Sequence, residues 1–310
     1  MTPFDPHFVL RVLDVLISPL VVLSALLLKV VRLAGVQNLP WSRAFLRTVG
    51  VFPIRDHYYE PLFNPKRLRR PLDQDRALPG IDWNVEGQLR LLGSLPYGGE
   101  IPDLELSDNF HAGDAEFLYG FIRLRKPRRI VEIGSGYSTL IAARALRRNR
   151  EELPGYACDH LCIEPYEMSW LEQSGVRVLR KRVEEVGLAP FLELDAGDLL
   201  FIDSSHVLRP QGDVVFEYLE LLPSLRPGVV VHVHDIFSPR DYPEAWVADQ
   251  VRLWNEQYVL EAFLSCNRDW RVLAALNFLH HHHFEALRAA CPFLTPAHEP
   301  GSFYIERVSR

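Results

Sequence analysis

The sequence predicts an α/β protein: a mostly parallel sheet with helices on both faces, preceded by an N-terminal helical and lid extension. Three observations carry that prediction. From about residue 109 onward, short apolar runs alternate with stretches of helical period. The run RRIVEIGSGYSTLIAARAL, residues 128–146, begins as a buried strand and ends as a helix, with Gly134 and Gly136 between. Four of the apolar runs end in acids. Composition agrees: 310 residues with 48% hydrophobic and 24% charged describe a globular chain able to bury a full core.

Taken in order, the N-terminus comes first. Residues 8–31 read FVLRVLDVLISPLVVLSALLLKVV, with an uncharged centre at 15–28. That centre is shorter than the ~20 residues of a spanning helix. Arg11, Asp14 and Lys29 flank it, Pro19 interrupts it, and no small-residue cleavage site follows, so a signal peptide fits poorly. Three readings stand open: a helix lying in a membrane interface, a short tilted span, or a helix packed on the protein's own body. In either membrane case Lys29, Arg32, Arg43 and Arg47 would keep the rest of the chain at the cytoplasmic face. Residues 1–50 form this segment and 51–105 a lid or linker. There Asp56, His57, Tyr58, Tyr59 and Glu60 make a polar-aromatic loop, read as a cap over a sheet edge or as a lid. Residues 69–80 look like an exposed linker.

Residues 106–310 carry the α/β pattern. Strands are expected at RRIVEIG, HLCIEP, VRVL, DLLFIDS, GVVVHVHDI and WRVLAALNFL, and the chain closes on a seventh, GSFYIERV. Helices are expected at STLIAARALRR, EMSWLEQSG, DVVFEYLELLPSL and AWVADQVRLWNEQYVLEAFLS. The result is a Rossmann-like, mostly parallel seven-stranded sheet. Such a sheet binds ligands beyond the carboxyl ends of its strands. The ends are Glu132-Ile-Gly-Ser-Gly136, Glu164-Pro165, Asp203-Ser-Ser-His206 and His232-Val-His234-Asp235. An acid at the tip of a core strand is costly without a partner, so four of them point to one shared polar site.

Charge and cysteines exclude other classes. A net charge of −6 argues against nucleic acid as a partner. Four cysteines are too sparse for a disulfide scaffold, and no second pair completes a zinc site, so a reducing cytoplasm is the expectation.

VEIGSGYST followed by CIEP resembles the class I S-adenosylmethionine-dependent methyltransferases, whose first motif is an acid and then G-x-G after strand one. The late run HVHDIFSPRDYPEAW…WNEQYVLEAFL resembles a bacterial branch of that superfamily found near polysaccharide and glycan genes. The likeness covers roughly residue 109 to the C-terminus. It implies a cofactor site of Glu132, Gly134, Gly136, Ser138, Glu164 and Asp203. A dinucleotide fingerprint would want a third glycine where Thr139 stands. S-adenosylmethionine has no phosphate and is cationic, so Glu132 suits it, while Glu164 is spaced to take both ribose hydroxyls.

In the magnesium-dependent sugar O-methyltransferases of macrolide biosynthesis, a similar Asp-x-x-His follows strand four and an acidic pair follows strand five. By that resemblance Asp203, His234 and Asp235 would be metal ligands and His206 the general base, with Asp203 also in the catalytic set. His234 stands where the pattern has an acid, which shifts metal preference from magnesium toward manganese, iron or zinc. The alternative left open is that Asp203 and Asp235 orient the cofactor and loops without metal. A sugar hydroxyl ionises far above neutrality, so methylating it needs a base, a metal or both.

The expected function is therefore S-adenosylmethionine-dependent O-methylation of a sugar, glycan or other hydroxyl-bearing small molecule, with magnesium or manganese as the open second cofactor. Two rivals are a non-catalytic protein of this fold at the membrane and a nucleotide-cofactor oxidoreductase. His232 is expected to pack in the core, His280 to His283 to sit solvated at a helix entry, and Tyr242 and Trp246 either to stack a sugar or to cover structure.

Overall fold

The structure, a computed structural model, describes residues 6–95, 99–100, 110–166 and 168–308. The chain divides into two compact units, residues 1–68 and 69–310. The boundary expected at residue 105 lies outside the described residues.

The first unit opens with α1, Pro6–Ala34, which continues through Pro19. After a short 3-10 turn comes α2, Pro40–Val49, started by a proline that needs no hydrogen bond there and closed by Gly50 at φ 80°. The polar-aromatic loop beyond is tied together by Glu60, which accepts from both Arg32 and Arg55, and by Asn64, which donates to Asp56 at 2.7 Å. Tyr58 and Tyr59 stand exposed.

The second unit runs α3 (Val85–Gly93), α4 (Asp114–Arg125), β1 (Arg129–Ile133), α5 (Tyr137–Glu152), β2 (Asp159–Ile163) and β3 (Arg177–Leu179). It continues with α6 (Val183–Val186), β4 (Leu199–Ile202), α7 (Asp213–Phe216), α8 (Leu222–Ser224), β5 (Val230–Val233) and α9 (Glu256–Leu264). It closes with β6 (Trp270–Ala275), α10 (Leu276–His282), α11 (Phe284–Ala290) and β7 (Phe303–Arg307). All seven expected strands form, the sixth only as far as Ala275, because the Leu276–Leu279 end of its expected run is helical in α10. They make one sheet in the order β3-β2-β1-β4-β5-β7-β6, parallel except where β7 runs antiparallel to β5 and β6.

Strand alternation sends neighbouring residues to opposite faces, and the core divides accordingly. Ile130, Leu199, Phe201 and Val230 join one apolar cluster with α4 and α5. Val131, Ile133, Leu200 and Val231 join the other, with α9 and the helical segment around Val214 to Leu225. Helices therefore cover both faces, as predicted.

Two helical expectations are corrected. After β2, in the run whose first residue (167) lies outside the described ones, only a 3-10 turn at Leu171–Gln173 forms. The run 245–265 is broken: a π turn at Ala245–Asp249 is followed by an irregular stretch before α9. The break has a cause. The carbonyl of His206 accepts the N–H of Asn255 and of Glu256, at 2.9 and 3.2 Å, so the start of α9 is fixed from another strand's tip.

Candidate active site

The parallel ladder continues one residue past each central strand. Gly134 N–H donates to Ile163 O, Asp203 N–H to Ile133 O and His234 N–H to Ile202 O, at 3.0, 2.8 and 2.9 Å. That staggered continuation brings the tips of β2, β1, β4 and β5 to one edge. Two cavities open there, of about 440 and 190 Å³, and both are lined by Gly134, Glu164 and Asp203. Gly136 and Ser138 line the smaller one.

The half of the site at the β1 and β2 tips is held by backbone. Glu164 accepts the N–H groups of Ser135 and Tyr166 at 3.3 and 2.8 Å, which fixes its carboxylate at the mouth of both cavities. Gly134 sits at φ 74°, and a Cβ there would lie 1.9 Å from the carbonyl oxygen of Asp203. Its bareness serves the contact between the β1 and β4 tips, whereas among the described residues a Cβ on Gly136 would meet only Met168, at 3.5 Å.

Glu132 departs from expectation: it is buried and lines neither cavity. Its carboxylate accepts from Thr139 Oγ1 and from Cys162 Sγ, and His160 Nε2 lies 3.5 Å away. Thr139 Oγ1 also accepts the N–H of Gly136 at 3.2 Å. Glu132 thus braces the glycine turn from below rather than facing a ligand. Burial and this neighbouring carboxylate push the Cys162 thiol up, so it stays protonated.

The other half is held by side chains. His206 Nε2 lies 3.2 Å from Asp203 Oδ1 and 3.6 Å from Asp235 Oδ2. Its Nδ1 meets Glu256 Oε2 at 2.8 Å, and Tyr218 O–H donates to the other oxygen of Glu256 at 3.1 Å. The Trp254 ring lies against the imidazole, centroids 4.3 Å apart. His206 and Asp235 both adopt φ 58°, a left-handed backbone rare outside glycine and often found at functional positions. Burial alone would depress the His206 imidazole, but its bonds to Asp203 and Glu256 prevail and hold it well above the usual range. Burial raises Asp235 and Glu256, while Asp203 is lowered because His206 and His234 overcome its burial.

The ligand atoms of Asp203, His206 and Asp235 lie within 4.8 Å of one another. Two carboxylates and an imidazole at that separation are a donor set a divalent cation accepts. The expected set differed: His234 is not in this group. Its Nε2 is 3.6 Å from Asp235 Oδ1, and its Nδ1 faces Ser302 Oγ at 3.5 Å. The structure puts His206 in the position expected of His234.

Elsewhere, His232 is buried and stacks on Tyr304 at 4.1 Å, a packing role as expected. The histidine run is less solvated than expected: His280 is buried, His281 Nε2 meets Glu299 at 2.8 Å and His282 meets Asp75 at 2.6 Å. Both acids come from distant sequence. Tyr242 is buried with its hydroxyl accepting the Gln257 N–H, so it cannot stack a sugar. Trp246 packs on Phe237 and Trp254, with the Arg252 guanidinium 4.3 Å from its ring centre. Sequence reasoning missed Glu256 and Trp254. An asparagine before a helical run is a start signal, and Asn255 marks where α9, and hence Glu256, begins.

Residues 131–236 match the family described as a methyltransferase domain. An uncharacterized protein of the archaeon Archaeoglobus fulgidus is 30% identical over 174 residues, 48% of this chain and 76% of the relative. Among solved structures, the plantazolicin methyltransferase BpumL, in complex with a triazolic desmethylPZN analog and SAH, aligns over 71% of this chain and 91% of its own. That alignment has 12% identity and a TM-score of 0.36. The chain belongs to one family with the archaeal protein, and its residues 131–236 are a methyltransferase domain.

Proposed function

We propose that this protein transfers a methyl group from S-adenosylmethionine to a hydroxyl of a sugar or similar polyol, with His206 as the base. The observation that carries the reading is the aim of His206 Nε2 at Asp203, which lines the two cavities, while Glu256 occupies its other nitrogen.

Roles follow from chemistry. S-adenosylmethionine supplies an electrophilic methyl on a sulfonium, which leaves as a neutral thioether. Glu164, anchored by two N–H donors, is suited to accept from both ribose hydroxyls. Gly136 and Ser138 leave room beside the glycine turn. The acceptor oxygen forms its bond to the methyl carbon as the carbon–sulfur bond breaks, and its proton goes to Nε2 of His206. Glu256 holds the Nδ1 proton, so that once Nε2 has given up its own proton the imidazole is the tautomer that accepts there. Trp254, packed on the imidazole, limits water around it.

Asp203 and Asp235 would hold a divalent cation, which would lower the cost of an alkoxide on the acceptor. A second reading has a specific observation behind it: His206 lies close enough to both acids to be the third ligand, leaving proton removal to solvent. The test is a methyl-transfer assay with a panel of reducing sugars and polyols, reading S-adenosylhomocysteine, with and without chelator. Activity only with metal, and loss in His206→Ala despite metal binding at full affinity, supports the base. Loss of metal binding in that variant supports the ligand. Binding of NAD and not S-adenosylmethionine would overturn the function.

A further inference from the structure

The first unit carries surface that a water-soluble protein has no use for. Sixteen large apolar side chains of α1 are exposed, and no part of its apolar stretch is buried. Leu20, Val21, Val22 and Leu23 are consecutive and all exposed. At about 100° per residue they point to every side of the helix. A helix lying in an interface needs a polar face, and mid-helix α1 has none. An apolar surface all round belongs in hydrocarbon.

Length agrees. Arg11 and Arg32 bracket residues 12–31, which at 1.5 Å per residue is about 30 Å, the thickness of the hydrocarbon layer. Asp14 and Lys29 lie inside that bracket, each one turn from an end, where their side chains can reach back toward water.

The neighbouring helix supplies the second observation. On α2, Trp41, Phe45 and Val49 recur at every fourth position, a single stripe, and are 78%, 66% and 74% exposed. Arg43 and Arg47 fall between them. Charge gives the sidedness: between Asp14 and Asp56 there are Lys29, Arg32, Arg43, Arg47 and Arg55 and not one acid, in a chain whose net charge is −6. Arg32 and Arg55 pair with Glu60. Arg43 and Arg47 complement anionic headgroups.

We propose that residues 6–50 anchor this protein in an anionic lipid bilayer. α1 crosses the hydrocarbon, and α2 lies at the headgroup boundary of the leaflet that α1 reaches last, its Trp41 stripe facing the acyl chains. The arginine-rich side is cytoplasmic by the bias of loop charges. This stands independently of the methyl-transfer reading.

The test uses the full chain in a bacterial host, with membranes floated on a density gradient and then washed in alkaline carbonate. The wild type is expected to float and to survive the wash. Leu20→Asp/Leu23→Asp is expected to leave the membrane fraction, each charge costing roughly 10²-fold in insertion. Trp41→Ala/Phe45→Ala should stay carbonate-resistant. In vesicles containing phosphatidylglycerol, lipid brominated near the headgroup should quench the wild type more than Trp41→Phe. In intact spheroplasts, added protease should spare residues 69–310. Release by carbonate would overturn the crossing. A wild type that stays in the supernatant, as monomer or as an oligomer joined through α1, would overturn the anchor. So would an intact mass showing the first thirty or so residues removed.

Discussion

The two halves of the site, a few residues apart on one sheet edge, are built by opposite means. At the β1 and β2 tips the polar work falls to backbone: N–H groups fix Glu164, and a left-handed glycine lets β1 approach β4. At the β4 and β5 tips it falls to buried side chains: Asp203, His206, Asp235 and Glu256 crowd together, and two of them hold unfavourable backbone angles. Backbone suits a ligand whose shape never changes. Clustered titratable groups suit a step in which a proton moves, because each group's proton affinity is set by its neighbours. The difference fits the proposed division, in which one half binds and the other reacts.

Substitutions can break that division or sharpen it. The largest effect belongs to His206→Ala, which should lower turnover by ~10²–10⁴-fold while leaving the dissociation constant for S-adenosylmethionine nearly unchanged; steady-state rates and calorimetry read the two separately. A parallel loss of cofactor affinity would erase the boundary between the halves. Next, Gly134→Val should destabilise the fold by about 3 kcal/mol or more, because its Cβ meets the Asp203 carbonyl from a disfavoured φ. Denaturant melts measure this, and a stable variant that merely loses the cofactor would mean that the glycine serves the ligand instead. Glu164→Ala should weaken S-adenosylmethionine by about 10–100-fold through lost charge-assisted hydrogen bonds, with turnover at saturation largely kept.

The smallest effect is the most diagnostic. Asp203 and Glu256 raise the affinity of His206 for a proton, so a base role makes turnover climb as pH rises above neutrality. Glu256→Gln removes one of those carboxylates, and the climb should move to lower pH. Nitrogen NMR of the metal-free protein should show the imidazole titrating at lower pH as well. An unmoved profile would make Glu256 a packing residue.

Much of this was legible in sequence, and the failures share a cause. The strands were readable because each is a short apolar run with its own ends, and the tip residues followed from the strands. Glu132 was misjudged because strand alternation shows that a residue leaves the plane, not whether a helix covers it; Thr139 and Cys162 take it up. His206, not His234, joined the two acids because the turn after β4 is held by the start of α9, an event decided by Asn255 and Glu256 about fifty residues later. The histidine run hid its partners Asp75 and Glu299 for the same reason. Sequence periodicity reports neighbours along an element, whereas these contacts depend on elements meeting.

Thr139 has a consequence for the protein's history. It occupies the place where a dinucleotide-binding turn has its third glycine, and it ties Glu132 to the Gly136 N–H. Thr139→Gly would restore that glycine and at once deprive a buried carboxylate of a hydrogen-bond donor, a loss of about 1–3 kcal/mol. A lineage drifting from this cofactor toward NAD would therefore have to change Glu132 first or in the same step. The order of change is thereby constrained: the carboxylate beneath the turn has to go before the threonine above it can be exchanged without loss.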